Sequence, residues 1–86
     1  MPDMLQINQI KGPLASFLKT EIFDSSVILE TDTDLFESGF DSFSLIKLIV
    51  FIEKKFRIHI PEEKITEETF RNINSLSELI YAFQQE

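Results

Sequence analysis

Apolar positions along the chain recur at helical spacing in three stretches, and polar, turn-forming segments separate them. In the first, about Asp3 to Glu21, apolar residues stand at Ile7, Ile10, Leu14, Phe17 and Leu18, in steps of three and four, which is one face of a helix. Gly12-Pro13 interrupts it; Pro13 either kinks this helix or occupies a first turn, where its missing N–H costs nothing, and a single bent helix is the expectation. The second stretch, about Ser42 to Phe56, places Leu45, Leu48, Ile49, Ile52 and Phe56 on one face. In the third, from about Asn74 or Ser75 to Gln84, the buried stripe is Leu76, Leu79, Ile80 and Phe83, and Ser75-Leu76-Ser77-Glu78 has the form of a capping box.

The segments between carry their own signals. Ile22 to Gly39 reads as a long loop, broken from the first helix at Asp24-Ser25-Ser26 and polar at Glu30-Thr31-Asp32-Thr33-Asp34. Val27, Leu29, Leu35, Phe36 and Phe40 are too many large apolar side chains for a loop lying in solvent, so it is expected to be pinned across the core, with a short helical turn at Leu35 to Glu37. Gly39 supplies the freedom for a positive φ, and Asp41 or Ser42 is a suitable N-cap for the helix that follows. Ile58-His59-Ile60-Pro61 is extended, because Pro61 biases Ile60 away from helix. Glu62 to Phe70 is expected to hold one or two short helical turns around Ile65. The sum is an all-α domain over residues 1–86: a small four-helix bundle of three main helices and one short one, with a long loop between helices 1 and 2.

Composition narrows the function. Hydrophobic content of 43%, with nine Phe, is enough to build a core in so short a chain. There is no cysteine, which removes disulfides, thiolate chemistry and cysteine metal sites and suits a reducing, cytoplasmic setting. No secretory signal is read at the start, and no apolar run approaches the roughly 20 residues of a membrane span. A net charge of −7 argues against nucleic-acid partners. The charge is also uneven. Thr20 to Asp41 holds seven acids and no base, whereas Ser42 to Arg57 holds Lys47, Lys54, Lys55 and Arg57 against Glu53 alone.

Catalytic and metal chemistry find little support. His59 is the one histidine, and Ser42 lies at the opposite end of the second helix, roughly 20 Å away at ~1.5 Å per residue, far beyond hydrogen-bond reach. Asp32-x-Asp34 starts like a calcium loop, but Phe36, Glu37 and Phe43 then stand where a ligand, a glycine and the closing glutamate belong, so no metal site is expected. The second helix does carry a surplus of apolar residues. With its core face at 0°, Phe43 falls near ~160°, Val50 near ~140° and Ile46 near ~100°, and Lys47 and Lys54 share that outer side. Either another element covers this strip or a partner does, and little chain is left to cover it.

Ser42 could be a plain helix cap. The N-terminus of a helix also suits a covalently attached phosphate. At Gly39-Phe40-Asp41-Ser42-Phe43-Ser44-Leu45 the sequence resembles the acyl carrier protein family, which includes peptidyl and aminoacyl carriers, with an Asp-Ser-Leu or close variant opening the second helix after a Gly. The resemblance runs on through Asp34-Leu35-Phe36-Glu37-Ser38, Ile60-Pro61 and Ser75 to Ile80, about Leu14 to Phe83 in all. It implies that Ser42 carries phosphopantetheine, transferred from coenzyme A by a separate Mg-dependent phosphopantetheinyl transferase, with Gly39, Asp41 and Phe43 completing the attachment motif. The thiol of that arm would hold an acyl or aminoacyl group as a thioester, loaded by a ligase and passed to biosynthetic enzymes. Phe43, Ile46, Lys47 and Val50 would dock those partners, and the chain would be a non-enzymatic, cytoplasmic monomer. Phe43 in place of the usual Leu is found in D-alanyl carrier proteins. The segment around Thr69-Phe70-Arg71-Asn72-Ile73 looks like that of stand-alone carriers in specialised pathways, so a specialised discrete carrier is expected.

Overall fold

The computed structural model describes residues 5–24 and 26–85. Helix α1 spans Ile7–Phe17, α2 Ser42–Phe56 and α3 Ile73–Gln84. Among the described residues no strand occurs. The expected start of α1 at Asp3 lies outside the described residues; Leu5 and Gln6 precede the helix, and the Gln6 N–H donates to Gln9 Oε1 (2.8 Å). Pro13 sits inside α1 rather than at its first turn. Beyond Phe17 the helix loosens into a π-helical turn, Leu18–Ile22, closed by the Phe23 N–H on the Leu18 carbonyl (2.8 Å). The ammonium of Lys47 on α2 donates to the Glu21 carbonyl at the end of that turn (3.2 Å), satisfying an acceptor the helix leaves unpaired.

One core joins all the segments. Ile10, Leu14 and Leu18 come from the first helical stretch, Leu48, Ile52 and Phe56 from α2, and Ile73, Leu76 and Ile80 from α3. The loop contributes Leu29, Leu35 and Phe40, all buried, so it is pinned as its apolar content demanded. Its backbone is stitched to the approach to α3: the Leu35 N–H donates to the Arg71 carbonyl (2.7 Å), and the Asn74 N–H donates to the Thr31 carbonyl (3.0 Å). Leu45 and Ile49, expected in the α2 core stripe, are half-buried against the core rather than within it. At the other end of the molecule, Gln84 of α3 exchanges two hydrogen bonds with the Leu5 backbone (3.2 and 3.1 Å).

The segment after α2 departs most from simple helix. Arg57 ends α2 in the left-handed region, at φ 56°. The short fourth helix is one 3-10 turn, Glu62–Lys64, followed by hydrogen-bonded turns to Phe70. The Thr66 and Thr69 hydroxyls account for this: each accepts a backbone N–H of the other residue, and the Thr69 hydroxyl also donates to the Lys64 carbonyl, so side chains take bonds a helix would make with its own backbone. The start of α3 also differs from the Ser75-to-Glu78 capping box expected. Asn72 is the N-cap, its Oδ1 accepting the Ser75 N–H (2.8 Å), and the Ser75 hydroxyl in turn receives the Asn72 N–H (3.2 Å). Capping from Asn72 starts α3 one or two residues earlier than expected and brings Ile73 into the core, only 1% exposed.

Candidate functional site

The start of α2 is built by the residues just before it. Asp34 Oδ1 accepts the N–H groups of Phe36 (3.0 Å) and Glu37 (3.2 Å), and its carbonyl accepts the Ser38 hydroxyl (2.9 Å). The Leu35 carbonyl takes both the Ser38 and the Phe40 N–H, which winds residues 35–40 into nested turns where a short helical turn was expected. Gly39 leaves these turns at φ 105°. A Cβ there would meet nothing within 4 Å, so glycine is required by the backbone angle and not by crowding. Phe40 then anchors the chain, 4% exposed, with its ring 5.4 Å from that of Phe36. Arg71, beside the Leu35 anchor point, faces Asp34 Oδ2 at 3.5 Å.

Asp41 follows in an extended conformation and is the N-cap of α2. Its Oδ1 accepts the Ser44 N–H (2.8 Å), and its carbonyl accepts the Leu45 N–H (2.9 Å). The bond from Ser44 holds the Asp41 carboxyl below the usual carboxylate range. Ser42 is therefore the first residue of the helix and not its cap. It is exposed, and its hydroxyl has no hydrogen-bond partner among the described residues. Its N–H and that of Phe43 lie in the first turn, where no carbonyl four residues back exists inside the helix.

Phe43, Ile46 and Val50 run outward from Ser42, at 72%, 60% and 46% exposure, and Lys47 is exposed between them. The apolar strip expected from the helical angles is thus uncovered by any described residue. His59 lies beyond the other end of α2, roughly 20 Å from Ser42 at the rise of a helix, and its Nδ1 is 3.2 Å from Glu53 Oε2. Three features had no signal in the periodicity. Lys47 on Glu21 joins two elements whose relative placement only the fold sets. Asp34 as the organiser of the loop was legible in principle, since Asp commonly receives N–H groups two and three residues on. Ile28, 81% exposed in the loop, belongs to no stripe.

The family model for a phosphopantetheine attachment site matches residues 8–80, from the first turn of α1 to the buried Ile80 of α3. The chain belongs to that family. Among curated proteins, no sequence matches it. Members of the family carry a covalently attached phosphopantetheine, so the chain is a phosphopantetheine carrier. The residues at the start of α2 fit such a group. A phosphodiester on a hydroxyl at the first helical position meets the positive end of the helix dipole and N–H groups without helical acceptors. Nothing there has to move, because Ser42 is exposed and its hydroxyl makes no bond that an ester would break.

Proposed function

We propose that Ser42 is the attachment residue, and that the chain is a discrete carrier that holds an acyl or aminoacyl group and delivers it to partner enzymes. The observation that carries this is the division of labour at the helix start. Asp41 caps α2, so Ser42 is exposed with no structural duty to perform. That counts against the competing idea of a helical interaction domain in which Ser42 is only a cap.

The transfer needs no base from this chain. Ser42 Oγ forms an ester bond to the phosphorus bearing pantetheine in coenzyme A, the pyrophosphate P–O bond breaks, the adenine nucleotide leaves, and the transferase takes the hydroxyl proton. When bound, the group supplies a thiol that holds the cargo as a thioester. Gly39 and Asp41 set the position of Ser42, while Phe43, Ile46, Lys47 and Val50 offer the docking face beside it. On this reading the chain is one carrier domain and not itself an enzyme. It works as a cytoplasmic monomer with a loading ligase and biosynthetic enzymes. The Asp-Ser-Phe motif and the turn-rich segment before α3 favour a specialised pathway, D-alanyl or other aminoacyl transfer among them.

The test is an intact mass after incubation with a broad-specificity phosphopantetheinyl transferase, Mg²⁺ and coenzyme A. The native protein is expected to gain one phosphopantetheine and Ser42→Ala none. No gain on the native protein, or a gain that persists in Ser42→Ala, overturns the assignment.

A further inference from the structure

The outer face of α2 is apolar and cationic together. Ile46 and Val50, with Lys47, form one wall of an apolar groove whose other wall is Phe17 of α1 and Phe51 of α2. Those two rings stack at 4.2 Å with 12° between planes, which makes that wall stiff. Past the stacked pair the groove continues between Pro13 and Ser16 on α1 and Lys55 on α2, with Glu21 at its edge. The uncovered surface thus begins at Phe43, next to Ser42, and crosses from α2 onto α1.

Its charge is mainly positive, with Glu21 the acid at its edge. Lys47, Lys54 and Lys55 are all exposed on α2. The helix has one acid, Glu53, whose Oε2 already accepts the Ile60 N–H (2.9 Å) and lies 3.2 Å from His59. Lys47 spends one N–H on the Glu21 carbonyl and keeps two more. This stands in a chain of net charge −7 whose acids concentrate between Thr20 and Asp41. The groove is therefore a local cationic region on an acidic molecule, with apolar side chains along its length.

We propose that the α1–α2 groove receives an apolar helical ridge flanked by carboxylates, presented by a protein that acts on the arm at Ser42. The inference takes Ser42 as the attachment point and adds the chemistry of the partner's surface. From Phe43 to Lys54 the strip is about 16 Å long at helical rise, enough for three turns of a partner helix laid along it. Phe43, Ile46 and Val50 face the ridge, and Lys47, Lys54 and Lys55 meet its acids. An anionic bilayer would also attract lysines beside apolar side chains. Yet the net charge of −7 opposes approach to an extended anionic surface, while a discrete ridge places its carboxylates only where the lysines are.

Two synthetic helical peptides test this, sharing a leucine ridge and differing only in flanks of Glu or of Lys, titrated into ¹⁵N-labelled protein. The Glu-flanked peptide is expected to shift the amides of Phe17, Ile46, Val50 and Phe51 and to bind about tenfold tighter than the Lys-flanked one, the worth of two or three exposed ion pairs. Added salt is expected to erode the difference, and Lys54→Glu/Lys55→Glu to reverse the preference. Equal affinity for the two peptides, binding of neither, shifts centred on residues 26–40, or shifts produced by phosphatidylserine vesicles and not by the peptides would overturn the proposal. Peptide binding needs no arm, so its outcome is separate from the mass measurement that tests Ser42.

Discussion

Ser42→Ala separates two roles for one hydroxyl by stability alone. The substitution removes an exposed group with no hydrogen-bond partner among the described residues, and it leaves the Asp41 cap in place. Ala is the better helix former by up to about 0.5 kcal/mol, less at a first position, so the folded state is expected to be unchanged or slightly stabilised. Were the hydroxyl the cap, its loss would cost about 0.5–2 kcal/mol. An unfolding entropy of about 2.1 cal/mol/K per residue gives roughly 180 cal/mol/K for 86 residues, so 1 kcal/mol moves Tm by about 5–6 °C. A capping role therefore requires a fall of roughly 3–11 °C, and a free hydroxyl requires none. The assay is thermal unfolding followed by far-UV circular dichroism, with the native protein verified by mass to carry no arm. A fall of about 3 °C or more in Ser42→Ala would refute the geometry described for the start of α2.

Other perturbations read the elements that hold this site. Gly39→Ala forces a side chain into φ 105° and is expected to cost about 1–2 kcal/mol, seen as a Tm lower by roughly 5–11 °C, with slower phosphopantetheinylation because Asp41 and Ser42 follow directly. Leu35→Ala empties a fully buried site at the anchor of the loop and is expected to cost about 2–5 kcal/mol in a chemical denaturation curve, a large share of the roughly 4–13 kcal/mol a chain of this size commands. Asp41 has a folded-state pKa below its unfolded value, so its contribution is fully present above the unfolded value and is lost as pH falls through the folded one. Asp41→Asn keeps a capping side chain but cannot titrate; the Tm advantage of the native protein over it is expected to shrink as pH is lowered below about 4, and an advantage that grows instead would contradict the sign.

What was legible in the sequence was whatever depends on spacing within one element. Ile10, Leu14, Leu48, Ile52, Leu76 and Ile80 stand at helical intervals and are all buried. The outward set of Phe43, Ile46 and Val50 followed from the same angles. Competition between nearby polar groups was harder to read. Asn72 and Ser75 are both good caps three residues apart, and Asn72 prevails because Ser75 can still serve it from the third helical position. The threonines at 66 and 69 turned a prospective helix into turns by the same kind of competition. Contacts between distant segments left no local trace at all. The Leu35 bond to Arg71, the Lys47 bond to Glu21 and the stacking of Phe17 on Phe51 each join residues whose neighbours in sequence say nothing of one another.

If Ser42 bears the arm, as proposed, the two adjacent residues at the start of α2 explain how a helix would carry a bulky, charged group at its first position without weakening its own end. A serine that both capped the helix and bore the arm would have to give up its hydrogen bond, because the esterified oxygen is committed to phosphorus and is a poorer acceptor for the Ser44 N–H. Here that N–H belongs to Asp41 at 2.8 Å. The carboxylate is kept ionised by the bond, and the loop behind it is fixed by Leu35 and Phe40 in the core. Attachment at Ser42, on the proposed assignment, would then add charge to the favourable end of the helix dipole and subtract no bond. The arm and the helix are coupled only through the backbone, so modified and unmodified chains are expected to share one fold. A partner that meets the Phe43–Val50 strip would find the same surface before and after the arm is added.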